Sequence, residues 1–297
     1  MDRQIEKDII ESVLKKLIEQ GVLNKDNTIT EYKSADTTHE TTMDSEPVTL
    51  EPMDFIGVEN PNNLEALKMM RKATPARILM GRCGARPRTA SFLNFLADHA
   101  AAIDAVFKDV PDRFLEEQNL FKVSTIVKDK DEYLMKPSLG KKLSDETKKE
   151  ILEKGERGKQ VQIIVVDGLS STSIEANVPD VMPALIQGLT THGISVGRPF
   201  FIKYGRVGIM DEVAPLLACD VIVEFIGERP GLITAESMSA YMAYRPDHTT
   251  VEAERTVISN IHKGGTPPAE AGAHLATIVK KMIDNKVSGM KLAELLK

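Results

Sequence analysis

Val221-Ile222-Val223-Glu224-Phe225-Ile226, followed at once by Gly227-Glu228-Arg229-Pro230-Gly231, is the stretch from which the fold can be read. A short run of β-branched and aromatic residues is a strand buried on both faces, the kind that a parallel sheet contains. The glycine-flanked acid and base behind it then fall at the carboxyl edge of that sheet, where open α/β sheets bind their ligands. Two other runs end in the same way. Val161-Gln162-Ile163-Ile164-Val165-Val166 leads into Asp167-Gly168-Leu169-Ser170-Ser171, and Phe200-Phe201-Ile202 leads into Lys203-Tyr204-Gly205-Arg206-Val207. Three strand ends bearing Gly, Ser and charged residues imply a site.

From about residue 159 onward, strands near 161–166, 199–204 and 221–226, with a further one near 256–261, alternate with helices near 179–192, 211–218, 234–244 and 267–285. This alternation predicts an α/β fold, a C-terminal Rossmann-like parallel sheet with helices on both faces. In the last helix Thr266 can cap and Pro267 suits the first position. Upstream, residues 50–150 read as helical with no convincing strand. Helical periodicity runs through 61–73, through 89–108 (Phe92, Leu93, Leu96, Ile103, Phe107) and through 144–154, capped by Ser144. Over residues 2–20, Ile5, Ile9, Ile10, Val13, Leu14, Leu17 and Ile18 form an apolar stripe opposite a charged face. The predicted organisation is an amphipathic N-terminal helix (1–22), a flexible polar linker (23–49), a smaller mainly helical domain (50–155) and an α/β domain (156–297). The amphipathic helix either packs back on its own domain or docks into an external groove.

Composition narrows the function classes. The chain has 297 residues, 42% apolar and 28% charged, with a net charge of −6. No basic stripe offsets the acids, so sequence-independent nucleic-acid binding is not expected. No apolar run approaches the ~20 residues that span a bilayer. Cys83 and Cys219 lack C-x-x-C spacing and read as buried thiols of a reducing compartment. The charged N-terminus does not resemble a secretory signal, and a cytoplasmic location is expected.

The glycines match neither G-x-G-x-x-G after the first strand nor a Walker sequence, and Gly168-Leu169-Ser170 lacks the closing glycine of a nucleophile elbow. A hydrolase built on Ser170 or Ser171 has no matched base. The six histidines show no ligand spacing, and no protein-ligated metal is expected. Asp98-His99 reads as structural. Gly81-Arg82-Cys83-Gly84-Ala85-Arg86-Pro87-Arg88-Thr89 sets three arginines within seven positions, able to grip carboxylates, phosphates or a partner's acidic loop, or to form a surface ion-pair cluster. In 259–268 two glycines before the prolines allow close approach of a ligand or of another chain.

Several long segments, in order, carry a specific resemblance: GRCGARPRTASFLNFLADHA, DGLSSTSI, FFIKYGRVGIMDEV, GERPGL, TTVEAERT and ISNIHKGGTPP. Together they resemble the small subunit of ethanolamine ammonia-lyase, from about residue 55 to residue 289. The resemblance implies radical conversion of ethanolamine to acetaldehyde and ammonia with adenosylcobalamin (coenzyme B12). It also implies a partner, a large TIM-barrel subunit that binds the substrate, in a hetero-oligomer of six large and six small subunits. The cofactor lies between the two kinds of subunit, and this chain supplies walls rather than catalytic groups. Carried over by position, the implied cofactor contacts are Val207, Glu228 and Val257; relatives can have Cys at the position of Val257. D-x-H-x-x-G is absent, and the resemblance implies that the cofactor keeps its own base on cobalt. The N-terminal helix resembles the tags of enzymes packed inside bacterial microcompartments. The reading from another class is a stand-alone cofactor- or nucleotide-binding regulatory module, which would bind its ligand without a partner.

Overall fold

The computed structural model describes residues 55–295. The helix expected over 1–22 and the linker over 23–49 lie outside the described residues. The first half holds α1 (Leu64–Lys72), a short hairpin of β1 (Arg82–Cys83) and β2 (Arg86–Pro87), α2 (Thr89–Phe107), α3 (Asp112–Glu117), β3 (Phe121–Ser124), α4 (Lys130–Met135) and α5 (Asp145–Lys154). The second half holds β4 (Val161–Val166), α6 (Ser171–Thr191), β5 (Phe200–Lys203), α7 (Met210–Leu217) and β6 (Val221–Gly227). It ends with β7 (Met238–Tyr244), β8 (Thr256–Ile261), α8 (Pro268–Asn285) and α9 (Gly289–Leu295).

Six strands form one sheet in the order β3-β5-β4-β6-β7-β8. Those from β3 to β6 are parallel, and β7 and β8 extend the sheet antiparallel. Because strand side chains alternate between faces, each central strand feeds two cores. Val161, Ile163 and Val165 of β4, with Val221, Val223 and Phe225 of β6, pack with Val178, Leu185 and Leu189 of α6 and Leu275 and Val279 of α8. Ile164, Val166, Ile222 and Ile226 pack on the other side with Ile151 of α5 and Val213 and Leu217 of α7. The expected α/β class with helices on both faces is present.

Several details differ from the sequence reading. Residues 234–244 are expected to be helical, but 238–244 form a strand. Met238, Ala240 and Met242 are buried at a spacing of two, and pairing along the whole of β6 outweighs a weak helical preference. Phe121–Ser124, from the segment read as strand-free, forms the sheet's edge beside β5, with the rings of Phe121 and Phe200 stacked at 4.8 Å. Helix α6 begins eight residues before the expected start, on a cap by Ser170, and runs through Pro179 and Pro183. At the far end, Thr266 is not a cap: α8 follows Pro267, and the Thr266 N–H bonds the Asn260 carbonyl.

Helix α2 matches its expected span, yet its apolar stripe covers no core of the described chain. Phe92, Leu93, Leu96, Ile103 and Phe107 are all exposed, Phe107 by 54%. Cys83 is exposed as well, contrary to expectation, because the hairpin around it stands clear of the core. Cys219 is buried, and burial pushes its thiol pKa up to about 12.

Candidate functional site

The connections after β4 and β6 leave the carboxyl edge in opposite directions, the first toward β5 and the second toward β7, which makes this edge a topological switch point. The two loops touch there. The Leu169 N–H bonds the Gly227 carbonyl at 3.0 Å. A Cβ on Gly227 would run into the Ser170 carbonyl, and one on Gly168, whose φ is +59°, into Gly227. Only glycine permits this approach.

Beside this crossing lies an open cavity of about 250 Å³ on the α7 face of the sheet, lined by Tyr133, Arg206, Val207, Ile226, Glu228 and Tyr241 among others. Val207 begins the short turn after β5. The backbone before it is held tightly: Tyr204 sits in the left-handed region at φ +60°, the Tyr133 hydroxyl donates to the Gly205 carbonyl at 2.8 Å, and the Arg206 N–H donates to the Gly140 carbonyl at 2.8 Å. A left-handed aromatic residue costs free energy, so the neighbouring bonds must fix it. Asp167 does so at the end of β4, accepting from the N–H groups of Tyr204 (2.8 Å) and Gly168 (3.0 Å). Burial pushes the pKa of Asp167 up to about 6, against the pull of Lys130 and these backbone donors.

Glu228 sits where the sequence places it, just past β6. Its carboxylate accepts from the hydroxyls of Ser237 and Ser239, both at 2.6 Å, and from the Asn260 N–H at 3.0 Å. Partial burial alone would raise its pKa; the two serines, Asn260 and nearby His262 outweigh that and hold it below the usual range. Arg229 is not its partner. Val257 pairs across the sheet with Tyr241 and is 41% exposed, so it lies on the same face at the cavity's flank. The structure thus brings Val207 and Glu228 together in one cavity and sets Val257 outside its lining, on the same sheet face beside Tyr241. Sequence reasoning missed Tyr133, Ser239 and Tyr241, which lie on a short helix and on a strand read as a helix.

The remaining motifs resolve differently. Ser170 caps α6 and donates to the Ala235 carbonyl at 2.5 Å, while Ser171 donates to Lys108, so both are structural. In the arginine hairpin Arg88 pairs with Glu59 and Arg82 bonds the Ala85 carbonyl; Arg86 has no ion pair among the described residues. His99 is stacked near Phe95, and Asp98 pairs with Arg77. The 259–268 turn folds on itself through Asn260 and His262 (2.8 Å) and presents the Asn260 N–H to Glu228. A larger recess of about 510 Å³ lies against α2, lined by Leu79, Met80, Pro87, Phe92 and Phe95 with Arg77 and Arg82 at its rim. It holds no carboxyl or imidazole group, whereas the smaller cavity gathers one carboxylate, two arginines and two phenols at the switch point; the smaller one is the candidate site.

The family model "Ethanolamine ammonia-lyase light chain (EutC)" matches residues 64–293. The chain belongs to the ethanolamine ammonia-lyase light-chain family. Proteins named ethanolamine ammonia-lyase small subunit are similar over most of its length. That of Clostridium tetani is 54% identical over 235 residues, 79% of this chain and 80% of that protein. That of Clostridioides difficile is 53% identical over the same length, and that of Fusobacterium nucleatum is 46% identical over 287 residues, 96% of this chain and 97% of that protein. As an ethanolamine ammonia-lyase small subunit, the chain is one component of a lyase and has a large-subunit partner. A recess of about 250 Å³ is smaller than the ~300–1,000 Å³ of a pocket that encloses a small ligand. It fits the edge of a large flat group shared with another surface. Its polar fittings suit such an edge, since three bonds on Glu228 leave about one of a carboxylate's roughly four acceptor positions open.

Proposed function

We propose that this chain is the small subunit of an adenosylcobalamin-dependent ethanolamine ammonia-lyase and forms part of the cofactor site at the interface with the large subunit. The observation that carries this reading is the meeting of Val207 and Glu228 in one shallow cavity at the switch point, with Val257 on the same sheet face beside Tyr241 of the lining, although they lie on three separate elements. When bound, adenosylcobalamin supplies the radical that starts conversion of ethanolamine to acetaldehyde and ammonia. Val207 and Val257 offer apolar contact to the edge of that group. Glu228, kept ionised by its three donors, accepts a hydrogen bond from one of the amide side chains that fringe the corrin. Tyr133 and Tyr241 keep water from the flank. No residue here is assigned a proton transfer, and substrate binding falls to the large subunit.

The exposed apolar face of α2 suits that same partner. It is tied to the loop that follows Glu228, because Arg77 next to it bonds the Leu232 carbonyl at 3.1 Å. The assembly proposed is of six large and six small subunits, packed inside a bacterial microcompartment with the 2–20 stripe as its tag. Co-expression with the large subunit, followed by an ammonia-release assay with and without adenosylcobalamin, tests the reading. Activity should require both chains and the cofactor; ammonia release by this chain alone would overturn it.

A further inference from the structure

Arg206 lines the candidate cavity directly before Val207 and is held there from several sides. Its backbone N–H is tied to Gly140, its Nη2 donates to the Tyr133 carbonyl at 3.0 Å, and its guanidinium lies over the Tyr133 ring, 4.0 Å from the centroid. Stacking on an aromatic face fixes the plane of the group without satisfying its donors. Arg77, Arg245 and Arg255 each have a carboxylate partner, whereas Arg206 forms no ion pair among the described residues. Its Nε is buried, so the fork left for a ligand is Nη1 with the second hydrogen of Nη2. Arg229, exposed in the loop after β6, lines the same cavity and also has no ion pair among the described residues. Glu228 is engaged by Ser237, Ser239 and Asn260 and pairs with neither arginine. The charge of the buried Asp167 is met by Lys130. The cavity lining therefore carries two positive charges to one negative.

We propose that Arg206 is a further binding residue of this site, which takes a singly charged oxyanion from the bound group, the phosphodiester of its nucleotide tail, with Arg229 as the second positive charge. This rests on the reading that adenosylcobalamin binds here. A guanidinium fork matches two oxygens of one phosphate and holds them in a fixed plane. The amides around a corrin are neutral, and the phosphodiester is the one ionised oxyanion that the cofactor carries. One negative charge brings the lining to neutrality, whereas an amide in the same place would leave both arginines without a counter-charge. Glu228 and Arg206 thus divide the work: the carboxylate takes a neutral donor from the corrin's fringe, and the arginine takes the charged tail. The same oxyanion chemistry has a second source, a carboxylate of the large subunit, and the test separates the two.

The test uses the assembled complex with the large subunit, titrated with three ligands and followed by the visible absorbance of the corrin. The ligands are adenosylcobalamin, adenosylcobinamide, which lacks the phosphodiester and the base, and adenosylcobinamide phosphate, which restores a phosphate alone. Each variant is compared with wild type on the same ligand, so the missing base cancels. Arg206→Met should bind adenosylcobalamin about ten- to a hundredfold more weakly, the loss of a charge-assisted contact. It should bind adenosylcobinamide within about twofold of wild type and lose affinity again for adenosylcobinamide phosphate. Arg206→Lys, which keeps the charge and most of the stem but not the fork, should fall between wild type and Met on the two phosphate-bearing ligands. An equal loss on all three ligands would overturn the inference, as would no loss on any. Failure of both variants to assemble would also overturn it, assigning Arg206 to a carboxylate of the large subunit. A wild-type complex that takes up none of the three would instead sink the cofactor reading itself.

Discussion

Replacing Glu228 with alanine removes an acceptor that ties three strands together. Its carboxylate holds Ser237 and Ser239 at the start of β7 and the Asn260 N–H near the end of β8. A hydrogen bond to a charged partner contributes about 1.5–3 kcal/mol. Glu228 is only partly buried, and water takes up much of what three such bonds would give, so the net loss is set at about 2 kcal/mol. In a folded unit of roughly 240 residues this lowers the melting midpoint by about 4–8 °C. The pH dependence has a definite sign. The folded pKa lies below that of the unfolded chain, so the stabilisation is complete above about pH 4.3 and fades as pH falls through the folded value. Thermal melts of wild type and Glu228→Ala should therefore converge on acidification. In the assembled complex the same variant should bind cobalamin about tenfold more weakly. A midpoint unchanged at pH 7, or a gap that does not narrow between about pH 5 and about pH 3, would refute the reasoning.

Gly227→Ala sets a methyl against the Ser170 carbonyl and should destabilise by more than about 2 kcal/mol, read as a lower urea midpoint with the slope unchanged. Asp167, whose pKa is raised to about 6 by burial, binds more protons folded than unfolded between about pH 4 and 6, so wild-type stability falls as pH rises through that window. Asp167→Asn should gain on wild type by up to about 3 kcal/mol across it, measured as the shift in the difference between urea midpoints at about pH 3.5 and about pH 7. Phe92→Ser with Leu96→Ser, both exposed, should leave the melting of the chain within about 0.5 kcal/mol of wild type. Pull-down by the large subunit should be weakened at least tenfold in the same variant.

The buried parallel strands were legible because β4, β5 and β6 are nearly uniform apolar runs, a pattern that few alternatives share. What the sequence hid was decided by pairing partners. Met238–Tyr244 has a composition suited to helix, and it becomes a strand because β6 offers it a full ladder. Phe121–Ser124 is four residues long, too short for periodicity to register, and is held by a strand far along the chain. At the site, Glu228 could be found from its place behind a strand. Its serine donors could not, because Ser237 and Ser239 fall in a segment read as a helix. Glu224 looked like one polar letter in an apolar run; that its carboxyl oxygens are buried without a hydrogen-bond partner is a property of three dimensions. The arginines of the hairpin drew attention by their density, yet Arg88 and Arg82 are occupied by the chain itself.

The lateral bond between β3 and β5 bears on how the protein is made. Phe121 pairs with Phe200, so the edge strand must wait for roughly 80 further residues, about 4–16 s of synthesis at 5–20 residues per second, before its neighbour leaves the ribosome. Throughout that interval its hydrogen-bonding edge has no native neighbour, and the nascent chain presents an apolar ring to whatever is nearby. Folding of the sheet is thereby postponed toward release of the full chain, and a chaperone or the large subunit, acting during translation, meets an unfinished surface rather than a domain completed in order from the N-terminus.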